Sequence, residues 1–154
     1  MQIHILSVSK RPPAWTLAAV AEYQKRLRHH LTISYRDLTP VHGAASPEEQ
    51  REREAKLILR ALPSRAHTVA LDERGELWST AELAAQLDRW QNDHQEVALI
   101  IGGAEGLATS VRESAAGLWS LSRLTFPHQL VRVIMLEQLY RAWSVLNHHP
   151  YHRA

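Results

Sequence analysis

A chain of 154 residues has the length of one domain, and one that size buries roughly two-thirds of its unfolded surface. Its composition, 45% hydrophobic and 22% charged, is that of a globular protein, and no apolar run approaches the ~20 residues a membrane helix needs. The absence of cysteine excludes disulfides and thiolate metal sites, and a net charge of +2 excludes a strongly acidic or basic balance over the chain as a whole.

The start, "MQIHILSVSK", lacks a basic leader and a small-residue cleavage site. It is expected to be a first strand over Ile3–Ser9 of a cytoplasmic protein, not a secretion signal. Pro12 and Pro13 precede "AWTLAAVAEYQKRLRHH", whose apolar residues recur at helical spacing. A second strand is expected over Leu31–Leu38, and then a mobile loop, "TPVHGAAS", over 39–46. Ser46-Pro47-Glu48-Glu49 is a helix start: a capping serine, a proline in the first turn, and acids at the positive dipole end. That helix should end by Pro63. A third strand runs over His67–Asp72, and Ser79 with Glu82 forms a capping box before "AELAAQLDRWQ". The fourth strand, Val97–Gly102, is apolar enough to lie buried on both faces. A fifth is expected over Trp119–Thr125, and Pro127 opens a final helix through "HQLVRVIMLEQLYRAWSVLN". Strands alternating with helices predict an α/β fold: a mainly parallel sheet with helices on both faces, in a single domain over 1–154.

In open sheets of this class ligands bind beyond the carboxyl ends of the strands. Three such ends are distinctive. "VALDERGE" leaves the third strand through Leu71 and Asp72, "IIGGAEG" leaves the fourth, and "LSRLTFPH" leaves the fifth. The glycine spacing is not the dinucleotide fingerprint, Glu105 would repel a pyrophosphate, and there is no Walker lysine. The glycines either relax a tight turn or let the backbone approach a neutral or cationic planar group. His148, His149 and His152 fall across a proline without carboxylates to orient them, so no metal is expected.

From Arg123 onward Glu137 is the one acid, against Arg123, Arg132, Arg141 and Arg153, with His128 and the three terminal histidines in the same stretch. Fifteen of the eighteen basic residues are arginine, the side chain suited to bidentate phosphate contacts. A solvated basic face is the plainer alternative. The apolar positions of 130–146, including Tyr140 and Trp143, suit a core or a partner interface. Leu130, Val133, Ile134, Leu136, Leu139, Trp143 and Leu146 exceed one helical stripe, which predicts a homodimer through this helix.

"LIIGGAEGL", "SLSRLTFPHQLVRVIMLEQLYRAWS" and the terminal "HPYHRA" occur in order, with "VSKRPPAW" near the start. Over essentially its whole length the chain resembles the small SPOUT-superfamily methyltransferases of the ribosomal RNA large subunit methyltransferase H type. The resemblance implies methylation of N3 of a pseudouridine in 23S ribosomal RNA, with the assembled ribosome as expected substrate. It implies S-adenosylmethionine as cofactor, a homodimer with the site at its interface, and a C-terminal trefoil knot, a rare exception to ordinary connection rules. Carried over residue by residue, the cofactor positions are Leu71, Asp72, Gly102, Gly103, Ser122, Arg123, Leu124, Thr125, Phe126 and Pro127. Arg123 should point outward from this apolar loop. A valine at Gly103 should fill space the adenosine needs and resist a positive φ.

The methyl carbon of a sulfonium is already electrophilic, so no metal is needed. The imide N3 must lose its proton, and a cationic neighbour favours the anion. Arg153, His152 and Tyr151 lead the catalytic candidates, because they sit at a terminus with little packing rationale. Arg141 and His128 are further candidates, and Glu137 or a histidine could take the proton. Arg132 or Arg141 could equally anchor phosphate. Two other classes stand beside this reading. A non-catalytic RNA-binding module leaves the glycine and "LTFP" loops unexplained, and a nucleotide-dependent oxidoreductase lacks the phosphate fingerprint.

Overall fold

Strand β1 (Gln2–Val8) sends Ile3 and Ile5 to one side and Leu6 and Val8 to the other, as the two-residue period of a strand requires. All four are buried, so helices must cover the sheet on both faces. A computed structural model, which describes residues 1–93 and 96–153, shows that they do. The elements follow as α1 (Ala14–Leu27), β2 (Thr32–Leu38), α2 (Pro47–Ala61), β3 (His67–Leu77), α3 (Thr80–Asp93), β4 (Glu96–Ile101), α4 (Thr109–Ser114), β5 (Gly117–Ser120) and α5 (His128–Leu146). A short 3-10 turn over Pro150–Arg153 follows. The sheet order is β2-β1-β4-β3-β5, and every neighbouring pair is parallel.

One face carries α1, α3 and α5, through Val20, Leu87, Trp90, Met135 and Leu139 packed on Ile3, Ile5, Val97 and Leu99. The other carries α2 and α4, through Ala55, Ile58 and Val111 against Val8, Ala70 and Ile100. Strand β4 is buried from Val97 to Ile101 on both sides, as its sequence predicts. Each fully buried Ile or Leu contributes about 1.5–3 kcal/mol, which makes this strand the densest source of cohesion. No helix among the described residues is long and apolar enough to cross a membrane.

Both predicted helix starts form. The Ser46 hydroxyl accepts from the Glu49 amide at 3.1 Å, and the Glu49 carboxylate accepts from the Ala45 amide at 2.7 Å. At α3, the Ser79 amide donates to Glu82 at 2.7 Å and the Glu82 amide to the Ser79 hydroxyl at 3.2 Å. Helix α1 stops at Leu27, short of the predicted end, because the His30 and Leu31 amides both turn back to the Leu27 carbonyl.

The carboxyl half of the sheet departs from the sequence expectation. β5 is Gly117–Ser120 rather than Trp119–Thr125, since Gly117 pairs with Val69 and pairing with β3 stops at Ser120. β3 continues to Leu77 across a register shift between Leu71 and Glu76. Gly75 permits this close approach: a Cβ there would lie 2.6 Å from the backbone of Leu118 and Trp119. Residues 39–46 are irregular, as expected, and two of their amides are bonded to α2, Val41 to Glu54 and Ala45 to Glu49.

Candidate active site

Because all five strands run parallel, their carboxyl ends share one edge. The register shift within β3 and the loops after β4 and β5 converge there around a cleft of about 850 Å³. Leu71, Asp72, Gly102, Gly103, Ser122, Arg123, Leu124, Thr125 and Phe126 line it together, and Pro127 follows directly. His128, the first residue of α5, lies in the same wall. The loop after β5 is held by serines: the Ser120 hydroxyl donates to the Ser122 carbonyl at 3.0 Å, and the Ser122 hydroxyl accepts from the Leu124 amide at 2.9 Å. These bonds replace strand pairing and leave Leu124 72% exposed over the cleft. Arg123 is exposed among these lining residues.

The glycine turn closes on itself through the Gly106 amide and the Gly103 carbonyl at 3.0 Å. A Cβ on Gly102 would stand 2.9 Å from Gly106 and from Leu107. The expected positive φ is not at Gly103 but at Gly106, where φ is 80°. Gly103 is glycine for another reason: a Cβ would meet Oε2 of Glu54 at 2.4 Å. Asp72 does not offer a free carboxylate. It accepts from the Arg74 amide at 2.9 Å and faces Arg112 at 3.8 Å, and Arg112 also donates to the Leu107 carbonyl and the Thr109 hydroxyl. Arg112 thereby ties the end of β3 to the loop after β4.

The remaining predicted catalytic residues gather elsewhere. His148, with φ at 53°, reverses the chain after α5 and lays the tail back on the helix. The Tyr151 ring packs on Tyr140, 4.6 Å between centroids, and its hydroxyl donates to Glu137 at 3.1 Å. Arg141 donates to the same Glu137 oxygen through Nε at 3.0 Å and Nη2 at 2.6 Å, and its guanidinium lies 5.1 Å from the Tyr151 ring centre. Burial, then hydrogen bonds with Tyr23 and Glu137, raise the Tyr151 phenol well above its usual range, so it stays protonated. The bond to Glu137 pushes the Arg141 guanidinium higher still. His152 is half-buried with Nδ1 unpartnered, and Arg153 is exposed. Tyr151 therefore has a packing role that the sequence reading denied it.

Glu137 follows His128 by nine residues, roughly 13 Å along the helix. Tyr151 also meets Tyr23 of α1, whose carboxyl end faces the start of β2. Within one chain, then, His128 belongs to the cleft, while Glu137, Arg141 and Tyr151 lie toward the opposite edge of the sheet.

Comparison with known proteins bears on this geometry. A family model described as "Predicted SPOUT methyltransferase" matches residues 1–152. The chain belongs to the SPOUT methyltransferase family. Ribosomal RNA large subunit methyltransferase H of Nitrosococcus oceani is 46% identical over 156 residues, covering 100% of this chain and 99% of that protein. The protein of the same name from Methylococcus capsulatus is 44% identical, covering 99% and 100%. Among solved structures, a methylase-family protein from Neisseria gonorrhoeae superposes with a TM-score of 0.52 at 16% identity, over 90% of this chain and 81% of that one. A structure described as concerning 2-OH methylation of C/U34 on tRNA gives 0.51 at 15% identity, over 95% and 97%. At such identities these two show the fold alone.

The structure also brings forward residues of this SPOUT chain that the sequence reading missed. Glu54 is 1% exposed: Oε1 accepts from Val41 N and Gln50 Nε2, and Oε2 is buried without a partner. Its signal was present, since Glu54, Ile58 and Ala61 share one buried helical face. Arg132, weighed as a phosphate anchor, is instead 2% exposed, ion-paired with Asp37 and bonded to the Ser9 hydroxyl at 2.8 Å. Its place in the stripe with Met135, Leu136 and Leu139 signals that burial. Among the described residues no group of three or more His, Asp or Glu is placed to hold a metal.

Proposed function

We propose that this SPOUT protein methylates N3 of a pseudouridine in 23S ribosomal RNA. It does so with S-adenosylmethionine, in the cytoplasm, on the large subunit or the assembled 70S ribosome. The reading includes a homodimer and the trefoil knot implied by the family resemblance. The carrying observation is the convergence of the β3 register shift and two strand-end loops, one of them a glycine turn, on one cleft of about 850 Å³. Its size suits a nucleoside-containing ligand, and the glycine turn in its wall is tight, since a Cβ at Gly102 would collide with Gly106 and Leu107. Leu71, Gly102, Gly103 and residues 122–127 would hold S-adenosylmethionine. When bound, it supplies an electrophilic methyl carbon.

The chain's own residues have two tasks: to orient the uracil ring, and to favour the anion left when N3 loses its proton. Arg141 is a permanent cation fixed by Glu137, and Arg153 is an exposed one, so both can stabilise that anion. Tyr151, protonated, donates to Glu137, so it positions that carboxylate and does not act as base. Glu137 already accepts from Arg141, Tyr151 and Gln138, which suits it to positioning Arg141. His128 and His152 are left as proton acceptors. Because His128 and the tail lie apart within one chain, each site combines the cleft of one protomer with the tail of its partner.

The test is calorimetry with S-adenosylmethionine, NAD and ATP, then tritiated-methyl incorporation into ribosomes from a strain lacking the enzyme. Binding of S-adenosylmethionine alone, with transfer to 23S RNA, is expected. Tight RNA binding without cofactor would favour the non-catalytic module, and binding of NAD would point to an oxidoreductase.

A further inference from the structure

A second groove, of about 460 Å³, opens on the same sheet edge where β1 and β2 end. Lys10, Arg11 and His42 line it, and Asp37 is the acid among its lining residues. That acid is neutralised from behind by the buried guanidinium of Arg132, which also bonds Ser9 and so clamps the ends of both strands. Lys10, Arg11 and His42 are exposed, and among the described residues none of these side chains is in an ion pair. The groove thus presents cations on a rigid base with their charge uncompensated.

It also lies beside the proposed cofactor cleft. Strand β1 neighbours β4, so the two openings lie within about 10 Å, two strand spacings. Glu54 stands between them: one oxygen holds the Val41 amide in the loop that walls the groove, and the other abuts Gly103. Arg51, Arg74 and Arg123 line the cleft itself, together with Asp72, Glu73 and Glu105. Two exposed cations outside any ion pair among the described residues, Lys10 and Arg11, beside a nucleoside-sized cleft suit the spaced charges of a nucleic-acid backbone.

We propose that this groove binds the phosphodiester backbone of the substrate RNA next to the target nucleotide, with Lys10 and Arg11 as phosphate contacts and His42 flanking them. The inference rests on the proposed RNA substrate. Its test is the Lys10→Ala/Arg11→Ala double variant, with large ribosomal subunits from an unmethylated strain as probe. Affinity is measured against salt concentration, and cofactor affinity by calorimetry. Losing two phosphate contacts should flatten the slope of log K against log salt by about 1.4, which weakens binding roughly 10–30-fold near 0.1 M salt. Cofactor affinity should be unchanged. Arg65→Ala, an exposed cation at the start of β3 on the opposite edge, should keep the wild-type slope. A double variant with wild-type slope and affinity would overturn the proposal, as would an equal loss in Arg65→Ala. Failure of the wild type to transfer methyl would count against the proposed function instead, and the salt slope would still decide the groove.

Discussion

A methyl group built on Gly103 would stand 2.4 Å from Oε2 of Glu54, and that carboxylate cannot swing clear. Its other oxygen is held by the Val41 amide and the Gln50 side chain. Gly103→Ala should therefore cost about 1–3 kcal/mol, the scale of overpacking a filled interior. Glu54→Ala in the same chain should return at least ~1 kcal/mol of it, since contacting residues couple. Denaturant melts of the four proteins check this, and strict additivity would remove the wedge. Valine at Gly103 should weaken cofactor binding by moving this carboxylate and with it the glycine turn. The sequence shows that the turn needs glycine, but not which glycine meets what. Gly106 carries the left-handed backbone, and the neighbour that constrains Gly103 comes from α2, far off in sequence.

Helix α3 owes its start to a local pattern, and such patterns are the most legible feature of this chain. The Ser79 amide, then its hydroxyl, hold the Glu82 carboxyl below the usual glutamate value of 4.5. The unfolded chain takes up that proton at higher pH than the folded one. The Glu82 contribution is therefore complete above about pH 4.5 and is lost as pH falls through the lowered folded value. Glu82→Gln should melt below wild type at pH 7, and the gap should close in acid; a pH-independent gap would deny the ionic part. Elements misjudged from sequence depend on partners distant along the chain. Trp119–Thr125 is rich in strand formers, yet pairing with β3 ends at Ser120 and two serines fold the rest into a loop. Helix α4 has no capping side chain and only six residues, too short for periodicity to register.

At the scale of the molecule, one helix spans two groups of polar side chains and keeps them apart. α5 begins at His128 in the cleft and carries Glu137 and Arg141 away from it, toward the refolded tail. The sequence named most of these side chains but could not distribute them between two places, because that depends on the direction of α5. If each site is shared between protomers, two defective chains should complement. Thr125→Tyr fills the cleft, and deletion of Tyr151 to Ala154 removes the tail. Each homodimer should lose at least ~100-fold in methyl transfer, the scale of one positioned acid–base or electrostatic group. Mixing and refolding equal amounts should restore about a quarter of wild-type activity, since half the dimers then hold one intact site. No recovery, with dimers confirmed by sedimentation, would place cleft and tail of one chain in the same site.

The placement of β1 beside β4 has a consequence in time. Gln2 pairs with Glu96, so the second neighbour of the first strand leaves the ribosome long after the strand itself. At ~5–20 residues per second the wait is on the order of 5 to 20 seconds. Until then β1 has β2 but not β4 to pair with, and an edge of unpaired backbone amides and carbonyls can recruit any strand or chaperone within reach. The cleft comes later still, because both of its loops follow β4 and β5. A newborn copy of this protein therefore has no pocket to fill during most of its own synthesis.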